Sequence, residues 1–72
     1  DILAWVSYTT LKKHILVQRG LSNGQEAEVV AWVQKNVANF ATLSIRTMIK
    51  VGDFMLSDPL EWENMSSVTL FK

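Results

Sequence analysis

Leu43-Ser44-Ile45-Arg46-Thr47-Met48 carries the clearest chemical signal in this chain. Its pattern predicts a helix start with Ser44 as N-cap and an arginine in the first turn. The amino end of a helix bears partial positive charge, so a cation there costs roughly 0.3–1 kcal/mol. The free N–H groups and the guanidinium suit the same visitor, an anion such as a phosphate. Arg46 is therefore the candidate binding residue.

Other residues that could do chemistry have plainer readings. His14 lies among Lys12, Lys13 and apolar neighbours, and no partner in the sequence marks it as a catalytic base. Glu26 with Glu28, and Glu61 with Glu63, lie two apart and point away from each other on a helix. They read as solvated acids in first turns, where the helix dipole favours them. The three glycines form no phosphate-cradling run, there is no G-x-S-x-G elbow, and there is no cysteine. A single histidine and no cysteine leave no zinc site. No catalytic residue and no metal ligand is expected here.

Composition narrows the class further. At 72 residues the chain is read as one domain, 1–72. A core of this size supplies no more than about 3–5 kcal/mol without a disulfide or metal staple. Yet 49% of the residues are apolar, including three tryptophans. Part of that surface is expected to lie against another domain or subunit. Seven basic and seven acidic residues cancel, so charge calls for neither nucleic acid nor a membrane. No apolar run nears the roughly 20 residues of a membrane span. The absence of cysteine is compatible with a cytoplasmic setting. The chain opens at Asp1 without an initiator methionine, as expected of a fragment of a longer protein or a processed chain.

The elements that must position Arg46 are helical, and the expected fold is all-α, a small bundle of about four helices. The first is expected from about Ile2 to Arg19. Ala4, Tyr8, Leu11 and Ile15 form its buried stripe, flanked by Trp5 and Leu16. Gly20 is its stop, and the β-branched pair Thr9-Thr10 is a point where it could break. Ser22 with Gln25 forms a capping box for the second. Val29 or Val30, Val33, Val37 and Phe40 face its core, Trp32 lies beside them, and Asn36 and Asn39 mark where it frays. The third carries Ile45, Met48, Ile49, Gly52, Met55 and Leu56 on one stripe, with Leu43 and Met48 as a hydrophobic staple. Gly52 on that stripe implies a close approach by another helix. Asp58-Pro59-Leu60-Glu61 opens the fourth, with Trp62, Met65 and Thr69 on one side and Val68 beside them. The three tryptophans are expected in the core or at a domain interface.

The residues also suggest a family. Val29-Val30-Ala31-Trp32-Val33-Gln34-Lys35-Asn36, then Asn39-Phe40-Ala41-Thr42, then Leu43-Ser44-Ile45-Arg46-Thr47-Met48-Ile49-Lys50 resembles the C-terminal helical lid of AAA+ ATPases, in particular phage-encoded ones. Such lids carry a helix, a short turn and a Leu-Ser-x-Arg-Thr-Leu-like segment. Pro59-Leu60-Glu61-Trp62-Glu63 looks like their tryptophan-bearing last helix. The likeness covers about Leu21 to Leu70; Asp1 to Gly20 is less diagnostic.

The resemblance implies that Arg46 matches the sensor-two arginine, which reaches the phosphates of ATP held by a larger α/β core. The cofactor would be ATP, with magnesium in the parent protein. The partners would be that missing N-terminal core and neighbouring subunits, to which lid movement transmits nucleotide state. Walker A, Walker B and the arginine finger would lie in the core. This fragment alone should not hydrolyse ATP, and should bind it weakly or not at all. Two other classes fit the same residues: a generic helical protein-interaction domain, and a helix-turn-helix DNA-binding module with Arg46 and Lys50 facing the groove. The apolar stripe and zero net charge disfavour the last, so nucleic acid is not an expected partner.

Overall fold

The computed structural model describes residues 2–72. The fold is an all-α bundle: α1 (Ile2–Lys13), α2 (Ile15–Gln18), α3 (Asn23–Lys35), α4 (Ile45–Ser57) and α5 (Trp62–Leu70). A 3₁₀ turn, Val37–Asn39, leads from α3 toward α4. Eleven buried apolar side chains form one cluster that draws on every helix, among them Val6, Leu16, Val29, Val33, Met48, Val51 and Trp62.

The first expected helix is two. The break falls at His14, whose backbone is left-handed at φ 50° and ψ 46°. In a continuous helix the N–H groups of Leu16 and Val17 would donate to the carbonyls of Lys12 and Lys13. They donate instead to Oε2 of Glu26, at 2.9 and 3.2 Å. The freed carbonyl of Lys13 accepts from the side chain of Gln18 at 2.8 Å. Glu26, expected as a solvated acid, is 1% exposed. Its other oxygen lies 3.2 Å from Nδ1 of His14, whose ring remains largely exposed. A carboxylate from the start of α3 thus caps α2, and the kink at His14 makes room for it.

Gly20 ends α2 as expected, at φ 117°. Gly20 N–H donates to Val17 and Leu21 N–H to Leu16, the paired bonds of a Schellman stop, and Leu21 is buried beside them. The capping box of α3 forms in both directions, Gln25 N to Ser22 Oγ at 3.1 Å and Ser22 N to Gln25 Oε1 at 3.0 Å.

Burial on α1 differs from the expected stripe. Val6, Ser7 and Thr10 face inward, while Trp5 and Tyr8 are 60% and 61% exposed and Ala4 and Leu11 also face solvent. Thr10 tolerates the core because its hydroxyl donates to the Val6 carbonyl at 2.8 Å. On α4 the buried face is Thr47, Met48, Val51, Gly52 and Met55. Leu56 faces outward, and Ile45 and Ile49 are half-buried. Gly52 lies where the close approach was expected. A Cβ there would sit 2.7 Å from Cδ2 of Leu16, itself fully buried.

The cap expected at Asp58 falls on a turn and not on the helix: its Oδ1 accepts from Leu60 N–H and Glu61 N–H at 3.1 and 3.2 Å, and the N-cap of α5 is Glu61. Residues 59–61 form a turn, so regular helix begins only at Trp62. Trp62 and Ser66 face the core; Thr69 and Val68 are exposed. Trp32 and Trp62 meet edge to face at 5.2 Å, and Phe71 stacks on Trp32 at 5.6 Å. Phe40 packs edge-on against both Trp32 and Phe71. Two of the three tryptophans are therefore core groups, and Trp5 is not.

Two substitutions test this packing. Glu26→Ala strands two N–H groups at the start of α2 and should cost about 3 kcal/mol in urea denaturation; Glu26→Gln, which keeps one acceptor oxygen, should cost less. Gly52→Ala gains about 1 kcal/mol of helix propensity but overpacks Leu16 at a cost of about 2 kcal/mol. The expected net loss is about 1 kcal/mol, and a more stable variant would show that Leu16 moves aside freely.

Candidate functional site

Arg46 owes its position to the turn that precedes α4. Asn36 closes α3, its side chain donating to the Trp32 carbonyl at 2.9 Å. The chain then becomes extended at Phe40, which pairs with Phe71 in an isolated antiparallel bridge. Ala41 N–H donates to the Leu70 carbonyl at 3.1 Å and Lys72 N–H to the Asn39 carbonyl at 2.8 Å. The segment after α5 is thereby fastened to the turn. Ser44 caps α4 as expected, its Oγ accepting from Thr47 N–H at 3.3 Å. The Thr47 hydroxyl donates to the Thr42 carbonyl at 3.0 Å, so the turn is held at both ends.

Arg46 follows as the second residue of α4 and is exposed. Among the described residues it has no ion pair and no side-chain hydrogen bond. Lys50, one turn further along, is exposed and equally unpaired among them. Both cations line an open hollow of about 230 Å³. Its other polar walls are Thr42, Ser44 and Thr47 from the turn and α4, and Thr69 from α5; Ala41 and Leu70 complete it. No carboxylate among the described residues lines it. The hydroxyls of Thr42 and Thr69 have no hydrogen-bond partner among the described residues. Two cations, free hydroxyls and no acid form a surface suited to an anion.

The acids lie elsewhere. Glu28, Glu61 and Glu63 are exposed, as expected, and Glu26 is committed to α2. Asp53 makes a two-point pair with Arg19, at 2.9 and 2.8 Å, and those hydrogen bonds raise the guanidinium pKa. Among the described residues no three or more His, Cys, Asp or Glu side chains converge as metal ligands would. None of their helices is long and apolar enough to cross a membrane. The sequence singles out Arg46 but gives Lys50 only a DNA-facing role and places Thr69 on the core side. The four-residue spacing of Arg46 and Lys50 is the available signal for the first; nothing local could bring in Thr69 from another helix.

Comparison with known proteins finds a distant relative. It is an uncharacterized 36.7 kDa protein from the nrdC-mobD intergenic region of Enterobacteria phage T4. The two chains are 27% identical over 67 residues, 93% of this chain. The match spans only 21% of the T4 protein's length. No family model matches the chain, and no solved structure matches it significantly.

An unpaired arginine in the first turn and a like-charged lysine at i+4 both oppose folding. Arg46→Ala should therefore stabilise the domain by about 0.5–1 kcal/mol in low-salt denaturation, and the gain should shrink in high salt as the charges are screened. A loss of stability would mean that Arg46 has a favourable partner.

Proposed function

We propose that this chain is the small helical lid domain of an AAA+ ATPase, and that Arg46 meets the phosphates of ATP held by the α/β core of the parent protein. The observation that supports the reading best is Arg46 itself, exposed, without an acidic partner among the described residues and beside Lys50 in an acid-free hollow. The residues fit the group: a guanidinium fork, an ammonium and two free hydroxyls all suit phosphate oxygens. ATP, with its magnesium, would supply the phosphoryl group and the charge that the chain's own residues answer. Arg46 adds positive charge where negative charge grows as the terminal phosphoryl is transferred. Its place on a helix anchored through Gly52 and Leu16 means that gripping phosphate constrains the whole domain.

Two further observations favour the reading. Ile2, Trp5 and Tyr8 on α1 form an exposed apolar face, the kind of surface that docks on a neighbouring domain. The similar T4 protein is about five times as long as the match, enough for an ATPase core beside a lid. The α1 face also favours a second reading, a helical domain that binds another protein and in which Arg46 is incidental.

Arg46→Ala in the full-length parent separates the two. The lid reading expects ATP turnover to fall about 10²-fold while circular dichroism stays unchanged. Under the interaction reading Arg46→Ala leaves turnover intact, and Trp5→Asp abolishes partner binding.

A further inference from the structure

We propose that the exposed face of α1 docks a partner helix that runs antiparallel to it and carries carboxylates in its first turn, opposite Lys12 and Lys13. This deepens the reading of α1 as a protein-binding surface by naming the chemistry of its partner, and it does not depend on Arg46.

Ala4, Tyr8 and Leu11 recur at steps of four and three, the spacing of a stripe that packs against another helix. The fold leaves that stripe outside. All three residues are exposed, and the exposed Trp5 borders them. The kink at His14 is the reason: Ile15, next in the stripe, turns with α2 and packs against the core, while the residues before the kink stay outside. Ala4 is small enough to let a second backbone come near. Trp5 and Tyr8 are of the types that dominate binding energy at protein interfaces.

Charge sets the chemistry and direction of the partner. α1 and α2 contain no carboxylate. Lys12 and Lys13 close α1, and neither has an acidic partner among the described residues. Glu26 comes close to this end of α1, but it is buried and committed to α2. Lys12 Nζ donates to the Tyr8 hydroxyl at 3.0 Å and lies 5.4 Å from the ring centroid. The ammonium is thus held against the stripe with its charge uncompensated. The first turn of an antiparallel helix falls opposite Lys12 and Lys13. Carboxylates there meet two cations and also suit the positive end of their own helix. A second copy of α1 answers the lysines poorly, because its first turn holds no acid. Anionic membrane surfaces are recognised by clusters of about four to eight basic residues, more than this pair.

The test is an NMR titration of the isotope-labelled 72-residue chain with synthetic amphipathic peptides of about 20 residues, long enough to hold a helix in water. Each peptide carries leucine and alanine on one face; one has glutamates in its first turn, another lysines there, and a third glutamates in its last turn. The first should shift the amides of α1 and bind about tenfold more tightly than the other two at low ionic strength, a gap that narrows in high salt. Lys12→Glu combined with Lys13→Glu should reverse the preference in favour of the lysine peptide. Tyr8→Ala should weaken the glutamate peptide about tenfold. Circular dichroism checks that each variant is folded. Equal binding of all three peptides on α1 would overturn the acidic antiparallel partner and leave a protein-binding face standing. No α1 shifts with any peptide would overturn both. Self-association that Tyr8→Ala abolishes, or tighter binding to phosphatidylserine vesicles than to the glutamate peptide, would give the face to a second copy or to a membrane and overturn the inference.

Discussion

A buried carboxylate holds the arrangement together. Glu26 takes the N–H groups of Leu16 and Val17, and only for that reason can the chain abandon helix geometry at His14 and resume it one residue later. The kink swings Leu16 into the core, where its side chain fills the gap left by the missing Cβ of Gly52. That contact sets how closely α4 approaches, and α4 carries Arg46 and Lys50 on its other face. The path from a glutamate at position 26 to an arginine at position 46 is thus a path through packed atoms. Two buried N–H donors left without acceptors would cost more than most single contacts in so small a core. The carboxylate is held there despite its own desolvation because it satisfies them.

The distribution of acids follows from the same local demands. A neutral chain with seven acids could easily have placed one beside Arg46. Instead Glu26 is buried under α2, Asp53 grips Arg19 across the α2–α4 contact, and Asp58 caps the turn into α5. Each of these acids satisfies donors or a cation close at hand. The cations of the hollow satisfy nothing: Arg46 sits against the helix dipole and Lys50 against Arg46. Structure built purely for stability would have exchanged one of them for glutamate. Their presence without a counter-charge is the physical reason to look for an anion outside the chain.

Signals that act over a few residues are legible in the sequence, and signals that act between elements are not. Ser22 with Gln25, Ser44 and Gly20 cap or stop helices as their types and spacing predict, whereas Asp58 caps only the turn that precedes α5. Gly52 is legible because a glycine on an apolar stripe sacrifices helix propensity and buried side-chain area, a loss that close contact with another helix offsets. The face of α1 is misleading because Tyr8 and Leu11 are larger and more apolar than Ser7 and Thr10, yet the smaller pair faces inward. Thr10 incurs no polar penalty there, since its hydroxyl is satisfied by its own helix. Glu26 looks solvated in the sequence because its partners lie ten and nine residues back, in a segment that reads as continuous helix. The hollow shares this limit. Arg46 announces itself locally, but Thr69 is brought to it by the packing of α5 on α4 and by the pairing of Phe40 with Phe71, contacts between elements far apart in the chain.

That pairing has a mechanical consequence for the proposed lid. Trp32, Phe40, Trp62 and Phe71 lock α3, the turn and α5 into one aromatic block, with edge-to-face and stacked contacts between 5.0 and 5.7 Å. Such blocks resist shear because aromatic pairs have preferred geometries and close-packed interiors deform little. The hollow spans the boundary between this block and α4, and the bond from Ala41 to Leu70 ties its two walls together. An anion held by Arg46 and Lys50 on one wall and Thr69 on the other would therefore not pry the helices apart. It would load the domain as a single rigid body, and any motion would pass to the surfaces through which the domain meets its neighbours. Under that reading, the exposed Ile2, Trp5 and Tyr8 of α1 would be one such surface.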